Sequence, residues 1–155
     1  MQQPTALSSD VLLAALRAAG EETRLRVLAL LSQGELSVSD LTDILGQSQP
    51  RISRHLKLLA EAGLIERVRE GSWAFFRLTE GTLRSDIVAS LLERMDGTDR
   101  ALARDRARLV EVRRARAAEA GEYFRRHAED WDRIRALHAS DEVVEATLRE
   151  IVGTT

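Results

Sequence analysis

Cysteine is absent from the 155 residues, which excludes a disulfide framework and any thiolate metal site. No apolar run approaches the roughly 20 residues needed to span a bilayer. The first nine residues lack the basic start and apolar stretch of a secretory signal. These absences lead us to expect a cytoplasmic protein with no membrane association. No internal repeat or low-complexity tract stands out. Nor is there a nucleophile–base pair, a glycine-rich phosphate loop or a metal cluster, so no enzyme activity and no cofactor are expected of this chain.

An excess of positive charge is also missing, since the formal net charge is −2. The distribution matters more than the sum. Between residues 47 and 78 the basic side chains are Arg51, Arg54, Lys57, Arg67, Arg69 and Arg77, opposed only by Glu61, Glu66 and Glu70. Elsewhere the charges balance or lean acidic, as at Glu21–Glu22 and around Asp40 and Asp43. A basic face on a neutral body can still bind phosphate, though less avidly than a strongly cationic protein.

Helical periodicity dominates the N-terminal part. Val11, Leu12, Ala15 and Leu16 form a stripe preceded by serine cap candidates, and Gly20 suits a left-handed C-cap. Leu25, Leu28 and Leu31, with Val27 beside them, predict a second helix ending at Gly34. Ser37 with Asp40 three residues on has the form of a capping signature. It opens a third helix carrying Leu41, Ile44 and Leu45, stopped by Gly46.

The most informative stretch follows. Ser48 can cap a fourth helix whose first turn tolerates Pro50. Ile52, Leu56 and Leu59 fall on one inward face, while Gln49, Arg51, Ser53, Arg54 and Lys57 fall largely elsewhere. That polar side is free of acid until Glu61. Gly63 ends the helix, and residues 64–69 and 73–78 read as strands around a Glu70-Gly71-Ser72 turn. Arg67 and Arg69 share one face of the first strand. Trp73, Phe75 and Phe76 are expected to pack the hairpin onto the body, since aromatic side chains serve burial first. Helix, tight turn, second helix and β-wing is how a small protein presents one helix to the DNA major groove. The expected fold class is mainly α with a small β-hairpin: a winged helix-turn-helix over residues 8–96, for DNA binding and dimerisation, plus a C-terminal helical arm or linker over 97–155. In the arm, residues 100–137 carry nearly cancelling charges and sparse apolar points. Residues 141–151, capped by Ser140, form a last expected helix.

On these residues the chain resembles a known family. Glu22-Thr-Arg-Leu-Arg-Val-Leu, Leu36-Ser-Val-Ser-Asp-Leu, Gln47-Ser-Gln-Pro-Arg-Ile-Ser-Arg-His-Leu, Gly63-Leu-Ile-Glu-Arg and Gly71-Ser-Trp look like the ArsR/SmtB family of bacterial repressors, in order and with familiar spacing from Val11 to Met95. The resemblance implies a homodimer bound to a double-stranded DNA operator and released by an inducer. Its interface would join Val11, Leu12, Ala15 and Leu16 of the first helix to Leu83, Ile87, Leu91 and Met95 after the wing. On the recognition helix, Gln49, Arg51, Ser53 and Arg54 would read base edges. Gln47, Ser48 and Lys57 would lie along the same contact, with the helix N-terminus near a phosphate. Arg67, Arg69 and Ser72 on the wing would hold phosphates or the minor groove. His55 matches a family position near the DNA backbone, and equally suits a half-buried packing imidazole.

The departures from the family are as informative. Metal-sensing members carry cysteines where this chain has Ser37 and Ser39, and hydroxyls are poor ligands for soft metals. Zinc-type members use Asp and His after the wing, where residues 82–96 hold Asp86, Glu93 and Asp96 but no His. His55, His127 and His138 are scattered, so no metal site is expected. The tail has a second resemblance. Leu102-Ala-Arg-Asp-Arg-Ala-Arg-Leu, Tyr123-Phe, Trp131-Asp-Arg-Ile-Arg-Ala-Leu-His and residues 145–153 are similar to the connector in fusions of an ArsR-type domain to a class I S-adenosylmethionine-dependent methyltransferase. The sequence ends before the Asp-x-Gly-x-Gly loop such a domain would bring. The expectation is either the DNA-binding portion of a longer protein, whose effector would be S-adenosylmethionine or S-adenosylhomocysteine, or a short relative that kept the arm. A module using the helical arm to bind a protein partner is the other alternative.

Overall fold

The computed structural model describes residues 6–138. Five helices and a three-stranded sheet precede one long helix. In chain order they are α1 (Ser9–Ala19), α2 (Glu22–Leu31), β1 (Leu36–Ser37), α3 (Val38–Leu45), α4 (Gln49–Glu61), β2 (Ile65–Glu70), β3 (Trp73–Leu78), α5 (Leu83–Glu93) and α6 (Arg100–His138). The expected last helix, 141–151, lies outside the described residues.

Local chemistry accounts for most boundaries. The Ser8 side chain accepts from the Val11 amide and starts α1, as expected of a serine cap. Ser37 and Asp40 form a reciprocal capping box at the start of α3, each side chain bonding the other's backbone N–H. Thr82 and Ser85 do the same for α5. Gly20 departs from expectation: its φ of −82° and ψ of 40° are not left-handed. The Gly20 N–H still bonds the Leu16 carbonyl, and the chain enters α2 after a single further residue, Glu21.

The sheet has the order β1-β3-β2, all antiparallel, with Ile65 opposite Leu78 and Leu36 opposite Phe76. The hairpin was legible in the sequence. The strand β1 was not, because two residues show no period. It pairs β3 and so ties the wing to the segment leading into α3.

The core gathers Val27 and Leu28 from α2, Leu41 and Ile44 from α3, and Ile52, Leu56 and Leu59 from α4. Ala15, Ala18 and Ala19 bring α1 into it, and Leu64, Ile65, Val88 and Leu109 are among the others that join it. Val88, not the stripe of Leu83, Ile87, Leu91 and Met95, is the buried residue of α5. Trp73 corrects another expectation. It is 65% exposed at the wing's outer end, whereas Phe76 packs against the core.

The first compact unit reaches Val112, beyond the division expected between residues 96 and 97. The reason is the first part of α6. Asp105 is 1% exposed and receives two hydrogen bonds of 2.8 Å from the Arg26 guanidinium, while Leu109 enters the core. The carboxylate holds the Arg26 pKa above its ordinary value against the effect of burial. From Arg113 the described chain is the continuation of α6. It carries the pairs Arg116–Glu119 and Glu122–Arg126, and Tyr123 stacks on His127 at 3.9 Å between ring centroids.

Removing one partner of a buried pair strands the other's charge. Asp105→Ala should therefore cost about 3 kcal/mol, the low end of that class because Arg26 keeps some contact with water. Urea denaturation would read this as a lower midpoint. The double change Arg26→Met with Asp105→Leu should recover most of the loss.

Candidate nucleic-acid interface

The joint between α3 and α4 determines which way α4 points. Gly46 closes α3 with a φ of +64°, a left-handed conformation that a side chain would strain. Gln47 turns inward and its amide donates to the buried Thr23 hydroxyl at 3.1 Å. Ser48 then caps α4, accepting from the Arg51 amide at 3.4 Å, and Pro50 sits in the first turn. Two of the expected DNA contacts, Gln47 and Ser48, thus have structural tasks in building the turn.

Along α4, Ile52, Leu56 and Leu59 are buried, while Gln49, Arg51, Arg54 and Lys57 are exposed and Ser53 is half-buried. Arg51 and Arg54 form no ion pair among the described residues. With Arg24, Ser48, Pro50, His55 and Leu58 they line an open groove of about 620 Å³. Lys57 stands 4.0 Å from Glu61, both well exposed, a pairing of little energetic weight. On the wing Arg67 and Arg69 are exposed and unpaired among the described residues, and Ser72 is exposed at the tip. Arg77 differs. It is committed to Glu66 at 2.5 Å and lies 3.7 Å from Glu35, which leaves Arg67 and Arg69 as the wing's free cations.

His55 resolves toward the packing alternative. It is 9% exposed, and its Nδ1 lies 3.2 Å from Arg24 Nη1. A guanidinium only donates, so Nδ1 accepts and the ring in this arrangement is neutral. Burial is the main cause pushing its pKa below the ordinary value. The Glu21 carboxylate at 3.8 Å opposes that, and the charges of Arg24, Arg51 and Arg54 reinforce it. For Glu21 itself, burial acts to raise the pKa. Backbone hydrogen bonds from Arg24 and Thr23 outweigh it, with the charge of Arg24 and, once protonated in acid, that of His55, so the pKa lies below the ordinary value.

Arg24 was not singled out in the sequence. Its Nε donates to the Ala18 carbonyl at 2.6 Å, so one guanidinium joins the end of α1, the start of α2 and α4. Its partner His55 is thirty-one positions away, and no linear pattern encodes that meeting.

Of the residues expected at a dimer interface, Leu12 and Leu16 are exposed and Val11 half-buried on α1; Leu83, Ile87, Leu91 and Met95 are half-buried. Ala15 is a correction. At 1% exposure it belongs to the monomer's own core, and Leu13, 46% exposed, extends the apolar face in its place. Among the described residues no group of three or more His, Asp or Glu could hold a metal ion, and the Ser37 hydroxyl is taken up by the cap of α3. No described helix is long and apolar enough to cross a membrane.

A helix-turn-helix whose second helix is anchored on one side and basic on the other, followed by a β-wing, is the winged helix-turn-helix arrangement. Residues 21–67 match the family described as bacterial regulatory protein, arsR family. The arsenical resistance operon repressor of Escherichia coli K12 is 53% identical over 60 residues, which cover 38% of this chain and 51% of that protein. An uncharacterized HTH-type transcriptional regulator of Methanocaldococcus jannaschii is 36% identical over 72 residues, 46% of this chain and 81% of that one. Among solved structures, HlyU from Vibrio cholerae superposes with a TM-score of 0.50 at 32% identity, over 55% of this chain and 91% of that one. The chain belongs to the ArsR family, and its fold is the winged helix-turn-helix. It spans about half the length of the first two curated relatives it matches, at 51% and 46%.

The buried, neutral His55 has a consequence for stability. The unfolded chain's imidazole takes up a proton near its ordinary pKa, about 6.5, before the folded one does. Stability should therefore fall as pH drops from about 7.5 through 6.5, levelling off below the depressed folded-state pKa. The Glu21 contribution is lost only at more acid pH, as that carboxyl protonates. Urea midpoints between pH 5.5 and 7.5 should decline for the natural chain and decline less for His55→Gln. An equal slope in both would remove His55 as the cause.

Proposed function

We propose that this chain is a transcriptional repressor that binds a near-palindromic DNA operator as a homodimer. The observation that carries the proposal is the two-sidedness of α4. Ile52, Leu56 and Leu59 hold it from beneath, and Arg51 and Arg54 stand on its open side, unpaired among the described residues and with no acid in the helix before Glu61. The arginines suit bidentate contacts to guanine, and Gln49 suits adenine. Arg67, Arg69 and Ser72 on the wing grip neighbouring phosphates. Two copies about one helical turn apart, roughly 34 Å, read two half-sites. Exposed Leu12, Leu13 and Leu16 on α1 supply the apolar face that joins them, together with α5.

The relative named an arsenical resistance operon repressor is a reason to favour repression over activation here. The likeness of residues 102–153 to a methyltransferase-fusion connector belongs with the proposal at one remove. In a longer protein the inducer would be an adenosyl metabolite bound beyond this chain. Residues 139–153 of that segment lie outside the described residues.

Selection from randomised duplexes, followed by fluorescence anisotropy, tests the proposal. Arg51→Ala and Arg54→Ala should each lose about 1–3 kcal/mol and relax sequence preference. Arg67→Ala and Arg69→Ala should weaken all sequences alike and reduce the salt slope by about one unit each. Unchanged affinity and preference in the α4 variants would sink the assignment. Sedimentation at micromolar concentration should show twice the 17.3 kDa chain mass, and Leu16→Glu should return it to one. A monomer in the natural chain would rule out the two-half-site arrangement.

A further inference from the structure

We propose that Arg108, on α6, is a positioning residue for DNA recognition: it braces the helix-turn-helix joint from outside the motif. The last carbonyls of a helix have no donor within it. At the end of α3, Thr42 O is satisfied by the Gly46 amide at 2.9 Å, and Ile44 O receives Arg108 Nη1 at 3.0 Å. A cation at that end also meets the negative pole of the helix. The same guanidinium nitrogen lies over the turn, 3.8 Å from the place a Cβ on Gly46 would occupy. Gln49, the first residue of α4, is three positions further on, so the angle of α4 against α3 depends on this joint.

A brace works only if it is itself held. Asp105, Arg108, Leu109 and Val112 share one face of α6 by helical spacing. Asp105 is locked to Arg26 by two bonds of 2.8 Å, Leu109 is buried, and Val112 packs against the core. Arg108 thus reaches Ile44 from a face pinned on either side of it, and it forms no ion pair among the described residues. The family match ends at residue 67, so the device lies beyond the segment that identifies the family.

The inference deepens the operator-binding reading and rests on it. Arg108→Ala should lower operator affinity by between about twofold and thirtyfold and reduce the preference for operator over random duplex. The dependence on salt should not change, because Arg108 touches no phosphate. Arg108→Lys, which keeps a charge and a donor, should recover part of the loss. Arg104→Ala, one turn earlier on the same helix, removes the same charge and should change nothing. Amide hydrogen exchange supplies a readout independent of DNA: exchange across residues 46–51 should quicken in Arg108→Ala and not in Arg104→Ala. Unchanged exchange there, or unchanged operator preference, would overturn the brace. A salt slope reduced by about one unit would also overturn it, by making Arg108 a direct phosphate ligand. If the natural chain selected no sequence at all, the repressor reading would fail, while exchange at the turn would still decide the brace.

Discussion

One-sided burial of α4 is the constraint on which the rest of the molecule depends. A helix that leaves one face bare has to take all of its anchoring from the other. Here Ile52, Leu56 and Leu59 supply it, meeting Leu41 and Ile44 of α3 and Val27 and Leu28 of α2 in a shared core. Burial of such side chains stabilises by about 1.5–3 kcal/mol each. That is enough to hold α4 in place without help from its solvent side. Freed from packing, that side can carry Arg51 and Arg54 with no acidic partner among the described residues.

The turn before α4 sets its direction, and several unrelated groups converge there. Gly46 supplies the left-handed backbone, Ser48 the cap, Gln47 a tie to Thr23, and Arg108 a donor for the end of α3. On the other flank Arg24 links the end of α1 to His55 on α4. Through these bonds α4 is tied to the end of α1 on one side, and the end of α3 that leads into it is tied to the first part of α6. A shift in either element would be felt at the open face of α4, because packed interiors pass displacement on rather than absorb it.

Much of this was legible before any coordinates. The inward stripe of α4, the Ser37–Asp40 cap, the Gly46 stop and the hairpin around Gly71 are local features, written in three- and four-residue or two-residue spacings. So was the acid-free stretch that marks the open side of α4. The errors share a cause. Trp73 was expected to pack by virtue of its size, yet in a two-residue period its position falls at the exposed end of β3. Ala15 was grouped with Leu12 and Leu16 because all three are apolar, but its place on α1 faces the core.

The sequence by itself determined the order of the elements, their caps and the chemical character of each face, because those depend on neighbours within one or two turns of chain. Only the tertiary structure decided which charges remain free. Arg77 is spent on Glu66 and Glu35, Arg26 on Asp105, Arg24 on Ala18 and His55, while Arg51, Arg54, Arg67 and Arg69 have no ion pair among the described residues. These pairings span from six to seventy-nine positions, and several cross between elements that share no sequence period. An arginine's role is set by what stands within about 4 Å of its guanidinium, and that distance exists only once the chain has folded.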